Sequence, residues 1–330
     1  FTTTGTVTLK PSTLTAGMTL GDATTTNSFH LDTTELGDIV AGKLVIGSTG
    51  TTTTSGQIVI GGSVSLGSTD LDLLSTGGVV DEADGSIVTT GTVTIDAAAS
   101  SVVLTNSTAG HGIAQLGAVV AGSGFALDNG DTSLTVTGTL STTDSNVTID
   151  VGTGTYAQND VDITAGGGNI TITADQVSLT DNDGDNAFQT SGVLTLKPAS
   201  SGTTMSLGGE TGEFDLTAAE VLDIAGGGAS SIVIGDAGST ASLTVEGDVS
   251  FAGNDVTLRA GSFTDGGTTS TITAGTLRFD ARTGAIGGTG TSAIDVAVTD
   301  LEVAELRNLK RKGFADKRIA AVMGDSEASV

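Results

Sequence analysis

Residues able to do chemistry are few in this chain, and their spacing limits what they can do. Asp181, Asp183 and Asp185, with Gly184 between the last two, set three carboxylates at alternate positions. Hard oxygens in that pattern are a candidate Ca²⁺ set. The full calcium loop is absent, because position 192 is Gly192 rather than a bidentate Glu, and a solvated acidic turn accounts for the same triplet. Gly37-x-x-x-x-Gly42-Lys43 imitates a phosphate loop, whose amides and Lys would cradle phosphate. Leu44 stands where such a loop needs Ser or Thr, and a strand pattern follows where a helix should begin. The only histidines are His30 and His111. His30 sits between Phe29 and Leu31 and should point outward, while His111 lies in Gly110-His111-Gly112, which reads as a turn. There is no cysteine for thiol catalysis, no G-x-S-x-G elbow, and no spacing that supports a Ser-His-Asp triad.

Acid–base cleavage of polysaccharides needs clustered acids beside a base or cation, and sugars usually stack on aromatic rings. Residues 1–300 hold six cations, Lys10, Lys43, Lys197, Arg259, Arg278 and Arg282, spread along the sequence. Arg278, Asp280 and Arg282 alternate on one strand pattern, either as an ion cluster or as a charge-balanced face, and Tyr156 is the only Tyr. Residues 1–300 carry 33 acids against those six bases, a net −27, and residues 301–330 carry five acids and six bases, a net +1. So acidic a surface repels phosphate backbones and anionic lipid, which argues against nucleic acid and membrane as partners. No run of eighteen apolar residues is present to span a bilayer as a helix.

The elements that must hold these residues are strands. The 330 residues include 50 Gly and 58 Thr, but only 2 Pro, 9 Phe and no Trp, which excludes collagen. A hydrophobic share of 37% against 15% charged argues against disorder. Thr6-Val7-Thr8-Leu9, Thr92-Val93-Thr94-Ile95, Asn146-Val147-Thr148-Ile149 and Asn169-Ile170-Thr171-Ile172 alternate polar with aliphatic residues. Strand side chains alternate faces, so each such run buries its aliphatic residues and exposes Thr, Ser or Asn. Gly, Asn and Asp punctuate the runs every eight to twelve residues, the pattern of a sandwich, barrel or solenoid.

A long repeat selects the solenoid. Gly5 to Pro11 reads G-T-V-T-L-K-P, and Gly192 to Pro198 reads G-V-L-T-L-K-P, 187 positions later. Leu20-Gly21 matches Leu207-Gly208 at the same offset, and Phe29-His30-Leu31 and Glu35 match Phe214-Asp215-Leu216 and Glu220 at 185. Coils of roughly 20 residues, common among solenoids, would be too small to bury a core alone and would gain stability by stacking. Asp32-x-x-Glu35 and Thr217-x-x-Glu220 form capping boxes, so a short helical turn is expected at each.

The L-K-P opening, the F-x-L-x-x-x-E block, the I-V-I-G and T-V-T-I strands and Ser101-Val102-Val103-Leu104-Thr105-Asn106-Ser107-Thr108 resemble the repeat region of filamentous-haemagglutinin-like exoproteins and autotransporter passengers. The resemblance covers about residues 1–298 and implies a secreted, surface-displayed, right-handed parallel β-helix used as an adhesive or structural stalk. Zero cysteine fits an exported bacterial protein. Phe1 in place of an initiating Met, with no signal peptide, reads as a segment of a longer chain.

From about Thr299 the pattern turns helical, with Val303, Leu306 and Leu309 on one face and Lys310-Arg311-Lys312 before Gly313. Those cations complement a helix C-terminus more simply than they make a nucleic-acid patch. Residues 302–330 are similar to a helical, non-catalytic segment of the carbamoyl-phosphate synthase large chain; no ATP-grasp region accompanies them, so no activity carries over. Two readings stand for this tail, a cap on the last coil or a segment foreign to the solenoid.

The expectation is therefore an all-β, right-handed parallel β-helix over residues 1–298 with a short α-helical tail over 299–330. It would be non-enzymatic, with no cofactor beyond possible Ca²⁺, extracellular, and adhesive towards host-cell or surface glycans or proteins. The alternatives are a β-helix polysaccharide lyase or hydrolase and a Ca²⁺-binding surface-layer-type protein.

Overall fold

The computed structural model describes residues 1–13, 15–22, 27, 29–49, 56–180, 186–266, 270–282, 284, 286–287 and 294–300. They fall into two compact units, divided between Ile170 and Thr171. Both are parallel β-solenoids built from short strands that bury every second residue.

In the first unit one ladder runs through Thr6–Leu9, Lys43–Gly47, Asp70–Leu74, Ser86–Ala97, Gly112–Ala121, Leu134–Val136 and Thr155–Asn159. A second runs through Phe29–Asp32, Met18–Gly21, Ile58–Ile60, Val79–Asp81, Val102–Leu104, Phe125–Asp128 and Val147–Asp150. These pairings are parallel, so successive strands are separated by a full circuit of the coil. Val102 faces Phe125 and Phe125 faces Val147, spacings of 23 and 22 residues. The coil is thus a little longer than the expected 20.

Alternation puts like residues over like. Leu44, Leu71, Val93, Leu116 and Val136 stand in register on five successive coils. All five are 0% exposed. No single coil could enclose them, and each loses its water only against the coil above and below. The long strand Ser86–Ala97 buries Ile87, Thr89, Gly91, Val93, Ile95 and Ala97 and turns the residues between them outward. Thr90, Thr92, Thr94 and Asp96 fall on the outward side because the period of two leaves them no other.

The second unit repeats the scheme. Val193–Lys197, Ser231–Ile234, Val256–Ala260 and Thr271–Ala281 form one parallel ladder. Phe214–Leu216, Met205–Leu207, Ser242–Val245 and Ser262–Asp265 form another. Its last described strand, Asp295–Asp300, pairs with Thr271–Ala281 and includes Thr299 and Asp300, where the helical pattern was expected to begin. Residues 301–330, with the helical reading placed on them, lie outside the described residues.

The repeated motif takes the same local structure in both units. Thr6 faces Lys43 after 37 residues and Val193 faces Ser231 after 38, an enlarged circuit in each. The extra length holds an added strand, Phe29–Asp32 or Phe214–Leu216, and a helix, α1 (Thr33–Gly37) or α2 (Ala218–Ala225). Both helices start on the expected capping box: Asp32 and Glu35 cap each other's backbone in α1, and Thr217 and Glu220 do so in α2. No described helix is long and apolar enough to cross a membrane.

Candidate functional site

Asp81 and His111 form a buried pair of titratable side chains. Period two places Asp81 inward, two positions after the buried Val79 on the strand Val79–Asp81. Gly110, at φ 72°, brings the next circuit around so that His111 enters the strand Gly112–Ala121 from inside. His111 Nε2 lies 3.1 Å from Asp81 Oδ2, and neither side chain has exposed surface. The expected turn is therefore a buried site. The flanking glycines suggest a turn, yet His111 shares the inward parity of Ile113 and is 2% exposed.

The backbone saturates this pair. Asp81 accepts from the N–H groups of Thr105, Asn106 and Ser107 at 2.9–3.1 Å. His111 Nδ1 accepts from the N–H of Ile87 at 2.9 Å. With Nδ1 an acceptor, the ring proton sits on Nε2 and is donated to Asp81. Burial holds the imidazole pKa below its ordinary value, against the raising influence of Asp81 and, further off, Asp128. A catalytic imidazole needs one nitrogen for its orienting acid and the other for a nucleophile. Here Ile87 occupies the second position. Ser107, the nearby hydroxyl, donates to Gly110 O instead. The chemistry left to this constellation is holding three amides and one ring in place.

Asn129 does the same work one circuit on, accepting from the N–H of Ile113 and donating to Ile113 O and Thr132 O. Tyr156, the only Tyr, is fully buried and donates to Gln158 Oε1 at 2.7 Å; burial pushes its hydroxyl pKa far up. Inward parity was the signal available for all these residues. The partners of Asp81 and His111 lie a full coil away, which is why motif spacing missed that pair.

The other candidates are placed apart. Asp181, Asp183 and Asp185 lie outside the described residues. Among the described residues no group of three His, Asp or Glu is placed to hold a metal ion. Lys43 pairs with Asp72 Oδ2 at 3.0 Å on the neighbouring strand, and α1 precedes it rather than following, so Gly37 to Lys43 is no phosphate loop. His30 is exposed, as expected.

Arg278, Asp280 and Arg282 do alternate outward from Leu277 and Phe279. Asp280 faces Arg259 across the ladder, with Oδ2 3.7 Å from Nε. Arg282 turns away and donates to Gly238 O. Lys197 pairs with Asp236 at 3.7 Å on the same face. These side chains are a third or more exposed, which limits each pair to about 1 kcal/mol or less.

A groove of about 530 Å³ runs over the outer face of the first unit, lined by Ser101, Ser123, Asp144, Asn146 and Thr148 among others. One carboxylate and no cation line it. That carboxylate, Asp144, already accepts from Gly167 N at 2.9 Å. The lining is hydroxyl and amide, and Phe125, the one ring beneath it, is 2% exposed.

No protein family, no curated protein and no solved structure matches this chain.

Proposed function

We propose that the chain is a non-enzymatic display segment, part of a secreted bacterial surface protein of the haemagglutinin-like or autotransporter-passenger kind. The observation that carries this reading is the division of labour in each strand. Among the described residues, inward positions carry stacked aliphatic side chains and hydrogen-bonded polar ones, as at Asp81 and His111. Outward positions carry Thr, Ser, Asp and scattered ion pairs, a surface suited to solubility and to contact rather than to bond cleavage. Charge supports it too: a net −26 discourages lateral association of exposed strand edges. Ca²⁺ is not needed by this reading, and its partners are surface glycans or proteins met through the outer faces.

The test is direct. Purified protein is incubated with polygalacturonate and with alginate, with and without Ca²⁺, while new reducing ends and unsaturated products are measured. Cleavage absent at all pH values, together with retention on intact host-cell or glycan surfaces, supports display. Turnover that scales with protein concentration would make the chain a β-helix lyase or hydrolase instead.

A further inference from the structure

The groove on the outer face of the first unit lies within a stack, with coils paired on both sides of it. Val102–Leu104, Phe125–Asp128 and Val147–Asp150 are consecutive in one ladder, which continues through Val79–Asp81 on one side and Ile170–Thr173 on the other. Register sets Val103 beside Ala126 and Ala126 beside Thr148. Ser101, Gly124 and Asn146 make a second outward row two residues earlier, because Val102 N donates to Gly124 O and Phe125 N to Asn146 O. The middle coil therefore presents only Gly124 and Ala126. Ser101 and Val103 stand on one side of them, Asn146 and Thr148 on the other. A trough results, with walls two strand spacings apart, about 10 Å. Its volume of about 530 Å³ falls within the roughly 300–1,000 Å³ of small-ligand sites.

The polar atoms on these walls are not used by the fold. Among the described residues the hydroxyls of Ser101, Ser123 and Thr148 meet no hydrogen-bond partner, and neither does Asn146 Nδ2. Asn146 Oδ1 accepts from Asn169 N at 2.9 Å, which fixes the amide with its N–H groups unengaged. Asp144, at φ 48°, gives Oδ1 to Gly167 N and leaves Oδ2 without a donor among the described residues. Neighbouring hydroxyls behave differently: Ser100 donates to Thr76 O and Ser145 to Thr143 O.

These groups discriminate between ligands. An anion meets Asp144 and no cation, on a chain of net −26. A metal ion meets one carboxylate, and an extended peptide finds no free strand edge, since each of the three coils is paired on both sides. Uncharged donors and acceptors above an aliphatic floor match a neutral sugar, which has hydroxyls around its rim and C–H groups on its faces.

From this we infer that the trough binds a neutral oligosaccharide, laid along the middle coil. Ring C–H groups rest on Val103, Gly124 and Ala126, and hydroxyls bond to Ser101, Asn146, Thr148 and Asp144. Phe125 is buried beneath and offers no ring to stack on, so the affinity is weak, in the millimolar range. The inference rests on the display reading only in that the sugar is held uncut.

Maltohexaose, cellohexaose and mannohexaose, titrated with the full chain and followed by saturation-transfer NMR, test it against hexagalacturonate. Saturable binding of at least one neutral hexamer is expected, with hexagalacturonate weaker by about tenfold or more. Thr148→Val and Ser101→Ala each remove a hydroxyl that the fold does not use. Each should weaken binding about fivefold and leave the melting temperature unchanged. Ala126→Ile, at an outward strand position, fills the trough and should abolish binding in a folded protein. No saturable binding of any neutral hexamer, unaltered binding by Ala126→Ile, or equal or tighter binding of hexagalacturonate overturns the inference. Absent binding with cell-surface retention intact removes the site and leaves display standing. New reducing ends from a bound hexamer remove display and leave the site standing.

Discussion

Asp81 and His111 are 30 residues apart in sequence and 3.1 Å apart in space, joined beneath the surface with no exposed side-chain area on either. Their circuit of the coil closes on that contact. The carboxylate gathers the amides of residues 105–107, and the imidazole accepts from Ile87 on the preceding strand. Asp81→Ala therefore strands three amides and a ring N–H together. A loss of about 3–5 kcal/mol is expected in urea unfolding, the range seen when one member of a buried pair is removed.

The same pair gives the unit an acid edge. The folded imidazole has its pKa lowered from 6.5, chiefly by burial. The unfolded chain then binds a proton that the folded one refuses, so stability is fully present above about pH 6.5 and is lost as pH falls through the folded value. Protonation at Nδ1 would also set two donors, Ile87 N–H and the ring, against each other. Urea midpoints measured from pH 7.5 to pH 4.5 should fall below pH 6.5, and His111→Leu should remove the part of that slope that begins there. An unchanged slope in the variant would contradict the assignment.

Asp215 shows the opposite sign. Its carboxyl pKa is raised, first by burial and then by Glu220, Glu210 and Glu246 around it. The folded state holds its proton more tightly than the unfolded chain, so stability falls as pH rises through the window above the ordinary value of 3.8 and the penalty persists at neutrality. Asp215→Asn should raise the melting temperature at pH 7 by a degree or more and leave it unchanged at pH 3. Calorimetry at the two pH values checks this.

Gly235 and Gly37 contrast in what the backbone demands. Gly235, at φ 92°, has so little room that a Cβ would fall 2.0 Å from Arg259 O. Its counterpart Gly47, at φ 88°, meets Leu74 O in the same way. Gly37 at the end of α1 has nothing within 4 Å. Gly235→Ala should cost about 2 kcal/mol or more, from the left-handed backbone and the clash together. Gly37→Ala should be neutral or mildly stabilising. Paired thermal melts decide it.

What could be read from the sequence was whatever a single strand or turn encodes. Thr92-Val93-Thr94-Ile95 carries its own inside and outside, and Asp32 with Glu35 carries its own helix start, so alternation and capping boxes both reappear in three dimensions. The repeat at offset 187 reappears as matching enlarged circuits, with Met18 facing Phe29 as Met205 faces Phe214. What could not be read was contact across a circuit. Asp81 meets Ser107 and His111 only once the coil has closed, and the coil length of 22–23 residues follows from strand register rather than from any motif. His111 looked like a turn residue because Gly110 and Gly112 are local signals, while its burial is set by the circuits stacked on either side.

Coil-over-coil parallel register is measured most directly by a cross-link in this cysteine-free chain. Ala126 and Thr148 are register partners on adjacent circuits and point to the same outward face. Parallel neighbours are about 4.8 Å apart, within reach of a disulfide. Ala126→Cys with Thr148→Cys should oxidise to an intramolecular disulfide in nearly every molecule. Ala126→Cys with Ile149→Cys, whose second position faces the interior, should stay reduced in the folded state. Efficient cross-linking of the second pair, or none of the first, would contradict the stacked solenoid and the display function built on it.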